Sequence, residues 1–136
     1  MIHQSYDIIS VCVSGDDDAD LTYSAVFASI ETKIDRWVAD KRFTKPGITL
    51  DKLAAELYTN RSYLSFYINK YRKQTFRRWI SGLRIEEAKR LLLQYPDVNL
   101  QEIAFRAGFS ERSHFTHQFT GQTGISPKFW RQQHKS

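Results

Sequence analysis

One pattern of apolar, small and capping residues occurs twice in this chain, about fifty residues apart, and it limits the fold more than any other feature. Leu50, Leu53, Ala54 and Leu57 recur as Leu100, Ile103, Ala104 and Ala107, and Asn60 recurs as Ser110. After one inserted residue, Leu64, Ile68, Thr75 and Trp79 recur as Phe115, Phe119, Ser126 and Trp130. Each copy predicts a short helix, a tight turn and a second helix opened by a polar cap. A unit of that shape suits its second helix to a DNA major groove.

Between Thr22 and Val38, residues Val26, Ile30, Ile34, Trp37 and Val38 follow spacings of three and four, which predicts an amphipathic helix within residues 21–43. Ahead of it, residues 1–20 read as an acidic segment or linker. A short β-leaning stretch, Ser5 to Val13, is followed there by Gly15 and the run Asp16, Asp17, Asp18 and Asp20. Lys45, Pro46 and Gly47 break the helix, and Thr49 is placed to cap the next one. In the first copy, residues 50–71, Ala54 and Ala55 are small enough for a second helix to approach. Asn60 caps the second helix, and Leu64 and Ile68 face inward at i, i+4. Arg61, Ser62, Ser65, Phe66 and Asn69 are left to face outward, a set able to meet base edges and phosphates.

A run from Phe76 to Tyr95 has no proline, and Trp79, Ile80, Leu83, Ala88, Leu91 and Leu92 mark its buried side. A helix of that length spans about 30 Å, close to the roughly 34 Å between major-groove faces on one side of B-DNA. It would serve as a rigid connector, stopped by Tyr95 and Pro96. In the second copy, residues 99–120, Asn99 and Glu102 have capping-box spacing and Gly108 supplies a permissive turn. Ser110 is expected to cap the next helix. Phe115 and Phe119 point inward, while Glu111, Arg112, Ser113, Thr116 and His117 remain for contact. Pro127 opens a last helix over residues 127–134.

Charge agrees with an anionic partner for the duplicated part. Residues 1–42 hold four of the 20 Lys and Arg and eight of the 15 Asp and Glu, leaving sixteen against seven in residues 43–136, a balance of +9. The single cysteine, Cys12, excludes an intramolecular disulfide framework, and no apolar run reaches the length of a membrane span. His114 and His117 stand at i, i+3, which two metal ligands can share, but no carboxylate or cysteine supports them and His134 lies in the tail. No metal, cofactor or enzymatic grouping is expected.

The string Ile103-Ala104-Phe105-Arg106-Ala107-Gly108-Phe109-Ser110-Glu111-Arg112-Ser113-His114-Phe115-Thr116-His117-Gln118-Phe119, with Gly124-Ile125-Ser126-Pro127 and Arg131 after it, resembles the signature of the AraC/XylS family of bacterial transcription regulators. Leu53-Ala54, Ser62-Tyr63-Leu64-Ser65, Phe76, Leu83-Arg84 and Glu87-Ala88-Lys89-Arg90-Leu91-Leu92 extend the resemblance, which covers 83 of 136 residues, 49 to 131. The phrase from Trp37 to Phe43, with Asn60 to Ser65, is similar to family members from Bacteroidetes. The resemblance implies an all-α, homeodomain-like fold: two helix-turn-helix units joined by a central linker helix, here with an extra N-terminal helix. Residues 44–134 form the DNA-binding domain.

By the same resemblance, Arg61, Ser62, Ser65 and Phe66 are the contact positions of the first unit. Glu111, Arg112, Ser113, Thr116 and His117 are those of the second. Three positions depart from the family pattern: Phe66 and Thr120 stand where basic residues are common, and Lys73 where a turn glycine is usual. Phe66 is left to touch a thymine methyl instead. The expected function is sequence-specific transcriptional control in the cytoplasm, more activation than repression, with double-stranded DNA as partner and RNA polymerase as a second. The usual sensor or dimerisation module is expected outside this chain, as in a piece of a larger regulator. A helical module that binds polymerase or a signalling protein is the alternative.

Overall fold

Local caps and spacings account for where most of the helices begin and end. The computed structural model describes the backbone of residues 17–135 and the side chains of residues 23–135. The β-leaning stretch, Cys12 and the start of the acidic run lie outside the described residues. Seven α-helices and one 3-10 turn make up the described chain, and no strand occurs among the described residues. They divide into two compact units. The first takes the chain up to Asp40 and again Ile48–Phe76, and the second takes Lys41–Gly47 and the chain from Arg77 onward.

In the first unit, α1 (Asp17–Ala39), α2 (Leu50–Glu56) and α3 (Arg61–Tyr71) enclose a core. The N-terminal helix starts at Asp17, four residues before the expected range. It also stops at Ala39, short of residue 43. Lys41 turns left-handed at φ 55° and a 3-10 turn, Arg42–Thr44, follows. The buried stripe of α1 is Tyr23, Phe27, Ile30, Ile34 and Trp37, with Val26 only half-buried. Tyr23 and Phe27 thus carry the 4-3-4-3 spacing one turn further than the aliphatic residues alone suggested.

Thr49 Oγ1 accepts from the Lys52 amide at 3.1 Å and Asn60 Oδ1 from the Tyr63 amide at 2.9 Å, so both expected caps open their helices. Leu53, Ala54, Leu57, Leu64, Tyr67 and Ile68 fill the core against α1. Ala55, expected at a helix contact, is exposed. It sits one residue, roughly 100° of helix, away from Ala54. The carbonyl of Leu57, left over at the end of α2, accepts from Lys33 Nζ at 2.9 Å.

The second unit contains the 3-10 turn, α4 (Phe76–Gln94) from Arg77 onward, α5 (Leu100–Ala107), α6 (Arg112–Thr123) and α7 (Pro127–Gln133). Its core joins Ile85, Ala88, Leu91, Leu92, Ile103, Ala104, Ala107, Phe109, Phe115 and Phe119. On α4, Ile85 and Glu87 are buried and Leu83 is only half-buried, a correction to the expected stripe. Glu87 is tolerated inside because Arg90 donates to both carboxylate oxygens, at 3.0 and 2.7 Å, and Lys41 Nζ lies 3.4 Å away. Burial works against its charge, yet these cations prevail and hold the carboxyl below its ordinary value.

Asn99 caps α5 through the Glu102 amide at 2.8 Å, but the Glu102 carboxylate accepts from Arg106 at 2.9 Å, one turn on. Ser126 caps α7 through the Phe129 amide at 3.2 Å, with Pro127 as its first residue.

Candidate nucleic-acid interface

The second helix of each copy of the repeated pattern, α3 and α6, carries the residues singled out for contact. The two helices start at equivalent residues, Arg61 and Arg112, which resolves the inserted residue as Glu111 in the second turn. Ser110 is therefore not the cap of α6. Glu111 holds the N-cap position in extended geometry at φ −137°, with no side-chain hydrogen bond to the helix amides. Ser110 lies exposed in the turn before it.

On α6, Phe115 and Phe119 are fully buried, and Phe119 meets Trp130 edge-on at 5.8 Å. This anchoring turns the opposite face outward. Arg112, Ser113, Thr116, His117 and Thr120, at i, i+1, i+4, i+5 and i+8, line one shallow concavity of about 620 Å³. Four of these five were singled out from sequence. Thr120 was set aside as a lost lysine, although its position two turns after Arg112 put it on the same face.

Two further ties fix the orientation of this helix within the unit. Ser81 Oγ donates to Gln118 Oε1 at 2.9 Å and accepts from Gln122 Nε2 at 3.0 Å, pinning the flank of α6 to α4. Sequence reasoning passed over both glutamines, since nothing local links them to a serine some forty residues earlier. Arg131 Nη1 donates to the carbonyls of Pro96 and Val98, each at 2.7 Å, and fastens α7 to the loop after α4.

The corresponding face of α3 is occupied differently. Ser62, expected to face outward, is 8% exposed. Phe66 is half-buried, its ring stacked on Phe27 of α1 at 5.6 Å and 26°. Lys70 Nζ lies 5.7 Å from the same ring. The cause is the aromatic stripe of α1: Phe27 also meets Tyr63, Tyr67 and Tyr71 at 6.4, 6.2 and 5.9 Å. Burial raises the Tyr63 phenol. Tyr67 is pushed up to about 12 by burial, by its 2.7 Å hydrogen bond to Glu31 and by the carboxylates nearby, against the charge of Arg72. Arg61 is exposed and pairs with Asp51 at 3.5 Å, Ser65 accepts from Asn69 at 3.5 Å, and Asn69 is exposed.

Arg112 is exposed and has no ion pair or hydrogen bond among the described residues, so its guanidinium is available to an incoming anion or base edge. Among the described residues no group of three or more His, Cys, Asp or Glu is placed to hold a metal ion, and no helix is long and apolar enough to cross a membrane.

Comparison with known proteins agrees with this geometry. Residues 53–133 match the family model described as a helix-turn-helix domain. The chain is 30% identical over 112 residues to the transcriptional regulator YijO of Escherichia coli, covering 82% of this chain and 37% of that protein. It is 39% identical over 59 residues to the transcriptional activator RhaR of Cronobacter sakazakii, covering 43% and 20%. Among solved structures, the C-terminal domain of AraT, a response regulator from Geobacillus stearothermophilus, superposes with a TM-score of 0.68 at 28% identity, over 74% of this chain and 82% of that one. The DNA-binding domain of AdpA, solved with a target DNA, shares the fold at a TM-score of 0.67 and 24% identity, over 75% and 89%. The chain spans about a third or less of the length of its curated relatives.

Proposed function

The chain belongs to the AraC/XylS family of helix-turn-helix regulators, and we propose that it binds double-stranded DNA through α3 and α6 and controls transcription, as an activator, in the bacterial cytoplasm. The observation that carries this reading is the outer face of α6. An arginine with no partner among the described residues, a serine, two threonines and a histidine share one concavity on a helix whose other side is locked into the core. Arginine can donate twice to guanine, threonine can hydrogen-bond or touch a thymine methyl, and the surrounding positive charge favours the phosphate backbone. Family membership supports the regulatory role, and the activator role leans on RhaR, which is named a transcriptional activator. Activation requires a second contact, to RNA polymerase. The reading needs no metal, no cofactor and no catalytic residue.

The test is selection of bound sequences from a random duplex pool at about 50 and 200 mM salt, which separates the phosphate contribution from base reading. An enriched motif at both salt concentrations is expected. Salt-sensitive binding that enriches no sequence would overturn specific recognition.

A further inference from the structure

We propose that α6 carries the base discrimination of this protein, and that α3 contributes affinity without base preference. This rests on the DNA-reading function proposed above and adds a division of labour between two helices that began as copies of one pattern.

Equivalent positions of the two helices differ in exposure and partners. Arg112 has no partner among the described residues, whereas Arg61 is paired with Asp51. Ser113 is exposed, whereas Ser62 is 8% exposed. His117 is exposed in the concavity of α6, whereas Phe66 has a ring face covered by Phe27. Direct readout requires side chains free to place donors and acceptors within hydrogen-bond distance of base edges. That face is complete on α6. On α3 it is reduced to a paired arginine and to Ser65 and Asn69, which bond to one another at 3.5 Å, while exposed Lys70, and Lys73 just past the helix, offer charge that meets phosphates without reading sequence. The bidentate guanidinium of Arg112 selects guanine, and the methyl of Thr116 beside it suits a thymine methyl.

The experiment is the same duplex selection, run with the wild-type chain, with Arg112→Ala and with the double variant Arg61→Ala/Ser65→Ala. Titrations on the selected duplex and on random DNA accompany it. The expected result is one conserved block containing a guanine. Arg112→Ala makes that position degenerate and weakens binding to the selected duplex by roughly 5- to 150-fold, with a much smaller effect on random DNA. The α3 double variant leaves the motif unchanged and weakens both duplexes by the same factor. Thermal melts check that each variant is folded. Should Arg112→Ala not fold, His117→Ala at another exposed position makes the same test. A motif with two blocks, one of them erased by the α3 double variant, overturns the division of labour while leaving the DNA-reading function intact. Failure of the wild-type chain to enrich any sequence overturns the function itself.

Discussion

Replacing Gly108 with alanine tests how the second turn is built, because three separate costs coincide there. Its φ of +110° is a conformation that side chains with a Cβ rarely adopt, and an added Cβ would stand 2.9 Å from Thr44 Cα, 3.0 Å from the Phe43 carbonyl oxygen and 2.7 Å from Arg84 Nε. The first two neighbours are backbone and cannot swing away. Arg84 can move only by giving up hydrogen bonds to the carbonyls of Phe43 and Lys45, both 2.8 Å. Gly124 isolates the first cost, since it has φ +86° with nothing within 4 Å of its would-be Cβ. Gly124→Ala is expected to cost about 1 kcal/mol: left-handed strain of about 1–2 kcal/mol, partly offset by the lower entropy of the unfolded chain. Gly108→Ala adds the backbone clash and at least one charged hydrogen bond at about 1.5–3 kcal/mol, for a total of about 3–5 kcal/mol.

Urea denaturation followed by circular dichroism and tryptophan fluorescence measures the difference. Arg84→Ala and the double variant with Gly108→Ala complete a cycle in which the two costs should add to less than their sum, because removing the guanidinium removes part of the clash. Equal destabilisation by Gly108→Ala and Gly124→Ala, within about 0.5 kcal/mol, would refute the close packing of the turn on Phe43 and Thr44.

Other expectations follow from single side chains. Lys73 holds φ 59° on an exposed loop, so Lys73→Gly should stabilise the first unit by about 0.5–1 kcal/mol by relieving left-handed strain; a lower melting temperature would count against it. Arg131→Ala should cost about 2–3 kcal/mol in chemical denaturation, with Arg131→Lys recovering only part of it, because one guanidinium nitrogen serves the carbonyls of Pro96 and Val98. Glu87 has a depressed folded value, so its contribution is complete above its ordinary value of 4.5 and is lost as pH falls below it. Glu87→Gln should flatten that part of the stability profile, and an unchanged acid limb would refute the pairing with Arg90 and Lys41. Tyr67, raised to about 12, contributes stability that is complete below its ordinary value of 10.0 and is lost as pH rises from there to about 12. An ultraviolet titration of the phenols should find one group ionising late, and Glu31→Gln should bring it down.

Much of this protein was legible in its residues because the signals are local. Thr49, Asn60, Asn99 and Ser126 each accept from an amide three residues on. The i, i+4 pairs Leu64/Ile68 and Phe115/Phe119 fix which side of α3 and α6 faces the core. Gly108 and Gly124 take the positive φ their turns require. Where the local signal was one residue off, at Ser110 and Glu111, the inserted residue shifted the cap, and a serine and a glutamate both pass as N-terminal residues of a helix.

What the residues alone could not decide is which distant segment covers the remaining faces. Ser62 and Ser113 occupy equivalent positions, yet one is buried and the other exposed. Phe66, a contact candidate by position, is stacked on Phe27, thirty-nine residues earlier. Gln118 and Gln122 hold α6 in place only because Ser81 of α4 lies against them. Caps and helical periodicity act within about one turn of chain, so sequence by itself determined the helices, most of their ends and most of their inner faces. The outer faces are set by packing between segments far apart in the chain, and tertiary structure alone decided that Ser113 and His117 of α6 stand exposed while Ser62 and Phe66 of α3 are covered.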